Sequence, residues 1–145
     1  MDEQNYKNHT RMVPLYHYFT FTLITAVMVG SIIKFVRSYE SGLTGLLTPT
    51  ILFIASVALL FIAWYARAFA LKAQDRAIRA EENLRHFAIT GKLLDNKLTM
   101  KQVVALRFAS NSEFVELARR AVAENMAPAD IKKSIRDWKA DHDRV

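Results

Sequence analysis

Cysteine is absent from this chain of 145 residues, proline occurs three times and glycine four times. Without cysteine there is no disulfide framework, no thiol nucleophile, no thiolate zinc site and no iron–sulfur ligation. The glycines stand apart at positions 30, 42, 45 and 91, so no glycine-rich phosphate loop can be written, and no serine sits in a G-x-S-x-G elbow. The four histidines, His9, His17, His86 and His142, include no pair at metal-ligand spacing. Charge is also missing from two long stretches. Leu15 to Ile33 and Gly42 to Ala66 contain no Asp, Glu, Lys or Arg. Each stretch exceeds the ~18 residues that read as a membrane span, which excludes a simple soluble enzyme.

What remains is strongly lopsided. Of 20 basic and 14 acidic residues, only Lys7, Arg11, Lys34, Arg37, Asp2, Glu3 and Glu40 precede residue 67. The net charge of +6 therefore lies almost wholly in the second half. A mildly basic region tethered to a bilayer fits a cytoplasmic domain near anionic lipid. Nucleic acid fits less well, because the charges are mixed in sign and form no Lys/Arg block.

The expected fold is an all-α membrane protein with a two-helix transmembrane hairpin. Its second helix continues into the cytoplasm and is followed by a small three-helix C-terminal unit. Residues 1–13 form a polar lead. Pro14 suits a helix start, opening a first transmembrane helix over residues 14–37. Tyr16, His17, Tyr18 and Phe19 form an aromatic belt at one interface, with Lys34, Arg37 and Tyr39 at the other. The apolar stretch is too long, and Met28-Val29-Gly30 too poor a cleavage site, for a removed signal peptide. Residues 38–48 form a short periplasmic loop. Thr48 and Pro49 read as N-cap and first helical residue. From there the second transmembrane helix covers residues 49–70 and its cytoplasmic extension residues 71–91, because no Gly or Pro interrupts Ile51 to Thr90 and Gly91 offers the first C-cap. Lys7, Arg11, Arg67, Lys72, Arg76 and Arg79 outnumber Lys34 and Arg37, which places both termini in the cytoplasm.

Along that helix Leu52, Ser56, Leu59, Ala63, Ala66, Ala70, Ala73, Ala77, Ala80, Leu84 and Phe87 recur in alternating steps of four and three. This is a heptad seam of small or apolar residues, and small residues let helix backbones approach closely. Arg67, Lys72, Arg76 and Arg79 follow the span as anionic-lipid contacts. Glu81–Arg85 and Glu82–His86 read as solvated i,i+4 pairs. His17 reads as an interface anchor, His86 as a surface or packing residue.

Residues 92–145 read as a small helical domain. Thr99 with Gln102, and Ser110 with Glu113, are capping boxes. Pro128 opens a last helix with Ile131, Ile135 and Trp138 on one face. Its expected core is Leu106, Phe114, Leu117, Val122, Ile131, Ile135 and Trp138. No segment alternates with period two, so strands are not expected.

The run from Ala68 to Arg85 carries a resemblance. So do Glu3 to His9, Pro14-Leu15-Tyr16-His17, Thr90 to Leu94 and Ala105 to Ala109. Across nearly the whole length the chain resembles an uncharacterised family of short bacterial membrane proteins, a domain of unknown function. The resemblance implies a bacterial inner-membrane protein with two spans and a cytoplasmic helical tail. It brings no activity and no functional residue.

The function expected from all this is a non-enzymatic inner-membrane accessory or scaffold subunit. It would associate through the long helix and the helical domain with itself or with a larger membrane complex, and no cofactor or metal is expected. The alternative is a basic membrane-tethered module binding anionic lipid or nucleic acid.

Overall fold

The computed structural model describes residues 4–6, 8 and 12–141. Lys7, His9, Arg11 and His142, all read above, lie outside the described residues, as do Asp2 and Glu3. The described chain is all-helical. Its five helices are α1 (Leu15–Glu40), α2 (Leu47–Thr90), α3 (Met100–Leu106), α4 (Asn111–Ala123) and α5 (Pro128–Ser134). They fall into two compact units, Met12–Phe69 and Met1–Arg11 with Ala70–Val145.

In the first unit α1 and the first half of α2 form an apolar hairpin. Both helices are long and apolar enough to cross a membrane, and most of their apolar side chains point outward. A core helix of a water-soluble protein would bury them instead. α1 opens with a π-helical turn, Leu15–Thr20, in which the Thr20 hydroxyl donates to the Leu15 carbonyl five residues back at 3.0 Å. The same end places the Tyr16 hydroxyl where it donates to the Ala63 carbonyl of α2. Tyr16 therefore leaves the outward belt assigned to it and turns onto the neighbouring helix. The buried residues of the two helices here are Ile24, Ser31, Pro49, Ser56 and Ala63, mostly small, as close helix approach requires.

α1 runs three residues past its expected end. It closes on a Schellman motif: Gly42 N–H donates to Tyr39 at 3.3 Å and Leu43 N–H to Ser38 at 3.1 Å. Gly42 adopts the left-handed φ of 86° that this closure needs. α2 begins at Leu47, so Thr48 lies inside its first turn instead of capping it. Pro49 still falls among the first N–H groups, which lack intrahelical partners, so its missing donor costs nothing there. α2 is 44 residues long, roughly 65 Å. It ends where Gly91 takes φ 72° and donates to the Phe87 carbonyl at 2.7 Å.

In the second unit α3, α4 and α5 pack on one another around Val103, Leu106, Phe108, Phe114, Leu117 and Ile131. The Thr99 hydroxyl accepts from Gln102 N–H at 3.3 Å, and the Gln102 side chain accepts from Thr99 N–H at 2.8 Å, a complete capping box.

Other expectations fail in this unit. Ser110 and Glu113 form no capping box. Instead Glu113 accepts from the backbone N–H groups of Arg136 and Asp137, which no helix satisfies. The last helix also stops at Ser134, so Ile135 and Trp138 are not on it. Residues 137–139 turn extended and pair with 108–110: Ala109 and Trp138 form an antiparallel bridge, Ser110 donates to Asp137 at 3.1 Å and Lys139 to Phe108 at 2.8 Å. Trp138 is half-buried and its ring lies 5.0 Å from that of Phe108, which is fully buried. Val122 is likewise half-buried and rests against the core rather than within it.

Candidate functional site on the long helix

From residue 70 onward α2 has two contrasting faces. Ile78 and Glu82 are buried, with Arg79, Arg85 and His86 half-buried around them. At 100° per residue these five side chains share one side of the helix. They meet the helical unit.

Arg85 organises that contact. It donates from Nη2 to the Ala109 carbonyl at 2.7 Å, from Nε to Asn111 Oδ1 at 2.7 Å and from Nη1 to Glu82 Oε2 at 3.0 Å. Its guanidinium also lies 4.3 Å from the centre of the Phe114 ring. The side chains of Arg85 and Glu82 are only 11% and 6% exposed, so the expectation of solvated pairs is overturned here. Arg85 takes Glu82 rather than Glu81, because the fork must also reach the carbonyl end of the α3–α4 turn. His86 does not pair with Glu82. Its Nδ1 lies 2.7 Å from the Lys92 carbonyl and 3.2 Å from the Thr90 hydroxyl, and its ring meets the edge of Phe114. Arg79 donates to the Leu98 carbonyl at 3.5 Å. Of the four expected lipid contacts, Lys72 and Arg76 are exposed, while Arg67 and Arg79 are half-buried.

A polar cavity of about 410 Å³ opens beside this contact, lined by Gln74, Glu81, Glu82, Arg107, Lys139 and Asp141. The buried Arg107 pairs with Asp141 at 3.2 Å and lies over the Phe108 ring at 4.6 Å. The Asp141 backbone is held in turn by Gln4, whose Oε1 accepts from Asp141 N–H at 2.8 Å. Three carboxylates, Glu81, Glu82 and Asp141, and two cations, Arg107 and Lys139, share the walls, and among the described residues no group of three or more His, Asp or Glu side chains is gathered to hold a metal ion. On α4 the exposed Glu116 carboxyl sits below its ordinary range, chiefly because Arg119 donates to it.

The seam residues occupy the other face. Ala73, Ala77, Ala80, Leu84 and Phe87 are exposed, Leu84 at 68% and Phe87 at 50%, and Ala70 is half-buried. They centre on the side of α2 opposite Glu82, with Ala77 at the edge of that face, where it also lines the cavity with Arg107, Lys139 and Asp141. Within the hairpin only Ser56 and Ala63 of the seam are buried; Leu59 and Ala66 are exposed. The buried arginine contacts were missed in the sequence. The signal for them is the Ile78, Glu82, Arg85 spacing, which marks a face but holds only one apolar residue.

The chain belongs to a family described as "Family of unknown function (DUF6526)", which it matches over residues 1–145. No curated protein and no solved structure matches it.

Proposed function

We propose that this member of a family without an assigned activity is a non-enzymatic accessory or scaffold subunit of the bacterial inner membrane. The apolar hairpin spans the bilayer, with residues 41–46 on the periplasmic side and both termini in the cytoplasm. The outward apolar side chains of both hairpin helices support the span, and the basic residues near the helix ends support the orientation. The long helix carries the helical unit on one face and offers the other to a partner, itself or a larger membrane complex. One observation carries this reading: an exposed face of Ala73, Ala77, Ala80, Leu84 and Phe87, backed by a packed domain on the opposite side. A contiguous apolar surface of that kind marks an interaction site.

Purification from gently solubilised native membranes tests it. The expected result is a stoichiometric assembly, of this chain with itself or with a second protein. A monomer surrounded by lipid alone, at native expression, counts against it.

A second reading has its own support. Lys72 and Arg76 are exposed directly beyond the hairpin, where each contributes about 1 kcal/mol of attraction to an anionic leaflet. In that reading the chain is a basic membrane-tethered module for anionic lipid. Loss of acidic lipid from native mass spectra when both residues are neutralised supports it, and an unchanged lipid profile removes it.

A further inference from the structure

The open face of α2 identifies its own occupant. Placing the seam residues Ala70, Ala77 and Leu84 at the a positions of a heptad, and Ala73, Ala80 and Phe87 at d, fixes every other position. The residues that meet the helical unit are then Ile78 and Arg85 at b, Arg79 and His86 at c, and Glu82 at f. Those are the outward positions of a two-stranded coiled coil. The helical unit sits on the back of such a helix and leaves Ala73, Arg76, Ala80, Leu84 and Phe87 exposed, while Gln74 and Glu81 at e and Ala77 at a also line the cavity shared with Arg107, Lys139 and Asp141.

The flanking charges choose between partners. Arg76 falls at g and Glu81 at the following e. Both are exposed, and neither forms an ion pair within the chain among the described residues. In a parallel in-register pair, g of one helix faces the next e of the other, so Arg76 meets Glu81 of a second copy, twice by symmetry. The remaining flanks, Gln74 and Asn83, are uncharged, so no like-charge contact opposes the pairing. Two copies inserted in one bilayer also point the same way, which makes the parallel arrangement the accessible one.

We infer that α2 forms a parallel, in-register homodimer through its exposed a and d residues, registered by Arg76–Glu81 pairs between copies. This deepens the scaffold reading and rests on it: the partner becomes a second copy of this chain, and the helical units project from the back of the pair.

The absence of native cysteine makes the test direct. Single cysteines at Ala73, Ala77 and Ala80 should form symmetric disulfides on mild oxidation in native membranes, while Lys72→Cys, at an outward position, should not. Each exposed ion pair carries about a factor of two, so Arg76→Glu or Glu81→Arg alone, losing two pairs and adding two repulsions of similar size, should lower the Ala77→Cys crosslink about tenfold or more. The double reversal should restore it. Restoration separates charge register from any general loss of folding.

Equal crosslinking at positions 72 and 77, or single reversals without effect, overturns the parallel register. A photo-crosslinker at position 77 distinguishes the two layers. Capture of only a different protein there overturns the homodimer and leaves the scaffold reading standing, whereas capture of nothing removes both.

Discussion

The guanidinium of Arg85 lies 4.3 Å from the centre of the Phe114 ring while it donates to Glu82, Ala109 and Asn111. One side chain thus joins the long helix to the first turn of α4 by a cation–π contact with Phe114 and a hydrogen bond to Asn111, and to the chain just before α4 by a hydrogen bond to Ala109. A forked, planar donor is required for this geometry; an ammonium presents no second edge.

Arg85→Ala should therefore loosen the helical unit from α2. Removing one member of a buried pair costs about 3–5 kcal/mol, because the remaining charge is left buried without its partner. The double substitution Arg85→Ala with Glu82→Ala should be less damaging than Arg85→Ala alone, since it removes that stranded carboxylate. Hydrogen exchange of the α3 and α4 amides in detergent measures both. If the double variant exchanges faster than the single one, the Glu82 charge is not the source of the penalty.

Much of the architecture was legible in the sequence, and the reason is local. Two uncharged stretches, Gly91 and the Thr99–Gln102 box act over a few residues, so pattern alone finds them. The misses share a different cause. Ile131, Ile135 and Trp138 have helical spacing, yet the backbone leaves the helix at Ile135 because residues 137–139 gain pairing with 108–110. Glu113 abandons its local cap for two N–H groups over twenty residues away. The Arg85 contacts likewise reach across the chain. Tertiary partners decide each of these, and the local pattern does not name those partners. The seam on α2 was legible as a repeat, but its exposure opposite the helical unit was visible only in three dimensions.

Phe108 and Trp138 should differ as substitution sites. Phe108 is fully buried and was absent from the core expected from sequence, whereas Trp138 is half-buried against it. Phe108→Ala should cost about 3–5 kcal/mol through the cavity it leaves. Trp138→Ala should cost less, about 1–3 kcal/mol, because solvent already reaches part of the ring and the site can collapse. Denaturant unfolding of the full chain, followed by exchange of the α3 and α4 amides, ranks them. A larger loss for Trp138 reverses the assignment of the core.

Glu113→Gln should act on the C-terminal segment alone. The carboxylate accepts from Arg136 and Asp137 N–H at 3.2–3.3 Å, and an amide replaces one acceptor with a donor that faces those same N–H groups. Protection of the 136 and 137 amides should fall while that of α4 stays. Uniform loss across α4 would assign Glu113 to the helix start instead.

The orientation proposed for the hairpin can be read chemically. Ser41, in the loop after α1, and Lys133, exposed on α5, should lie on opposite sides of the membrane. Single cysteines at these positions meet no native thiol. A membrane-impermeant reagent, applied to intact cells with a permeabilised outer membrane, should label position 41 only. Labelling of position 133 alone inverts the orientation, and labelling of both removes the spanning hairpin.

The exposed face of α2 predicts a contrast between two alanines five residues apart. Ala73 is exposed on the seam, while Ala68 lies off it. Leucine and alanine have similar helix propensity, so exchanging them tests packing with little effect on helix formation. If the seam is covered by a close helix contact, Ala73→Leu inserts bulk where backbones approach and should weaken the assembly by roughly 1–3 kcal/mol. Ala68→Leu should leave it unchanged. If the face were merely open to solvent, neither substitution would shift assembly size in mild detergent. A shift for Ala68→Leu and none for Ala73→Leu would move the contact to the other side of the helix, which within residues 70–90 the helical unit already occupies. The sign and the site of the effect together decide whether the apolar stripe is an interface or only a helix-forming composition.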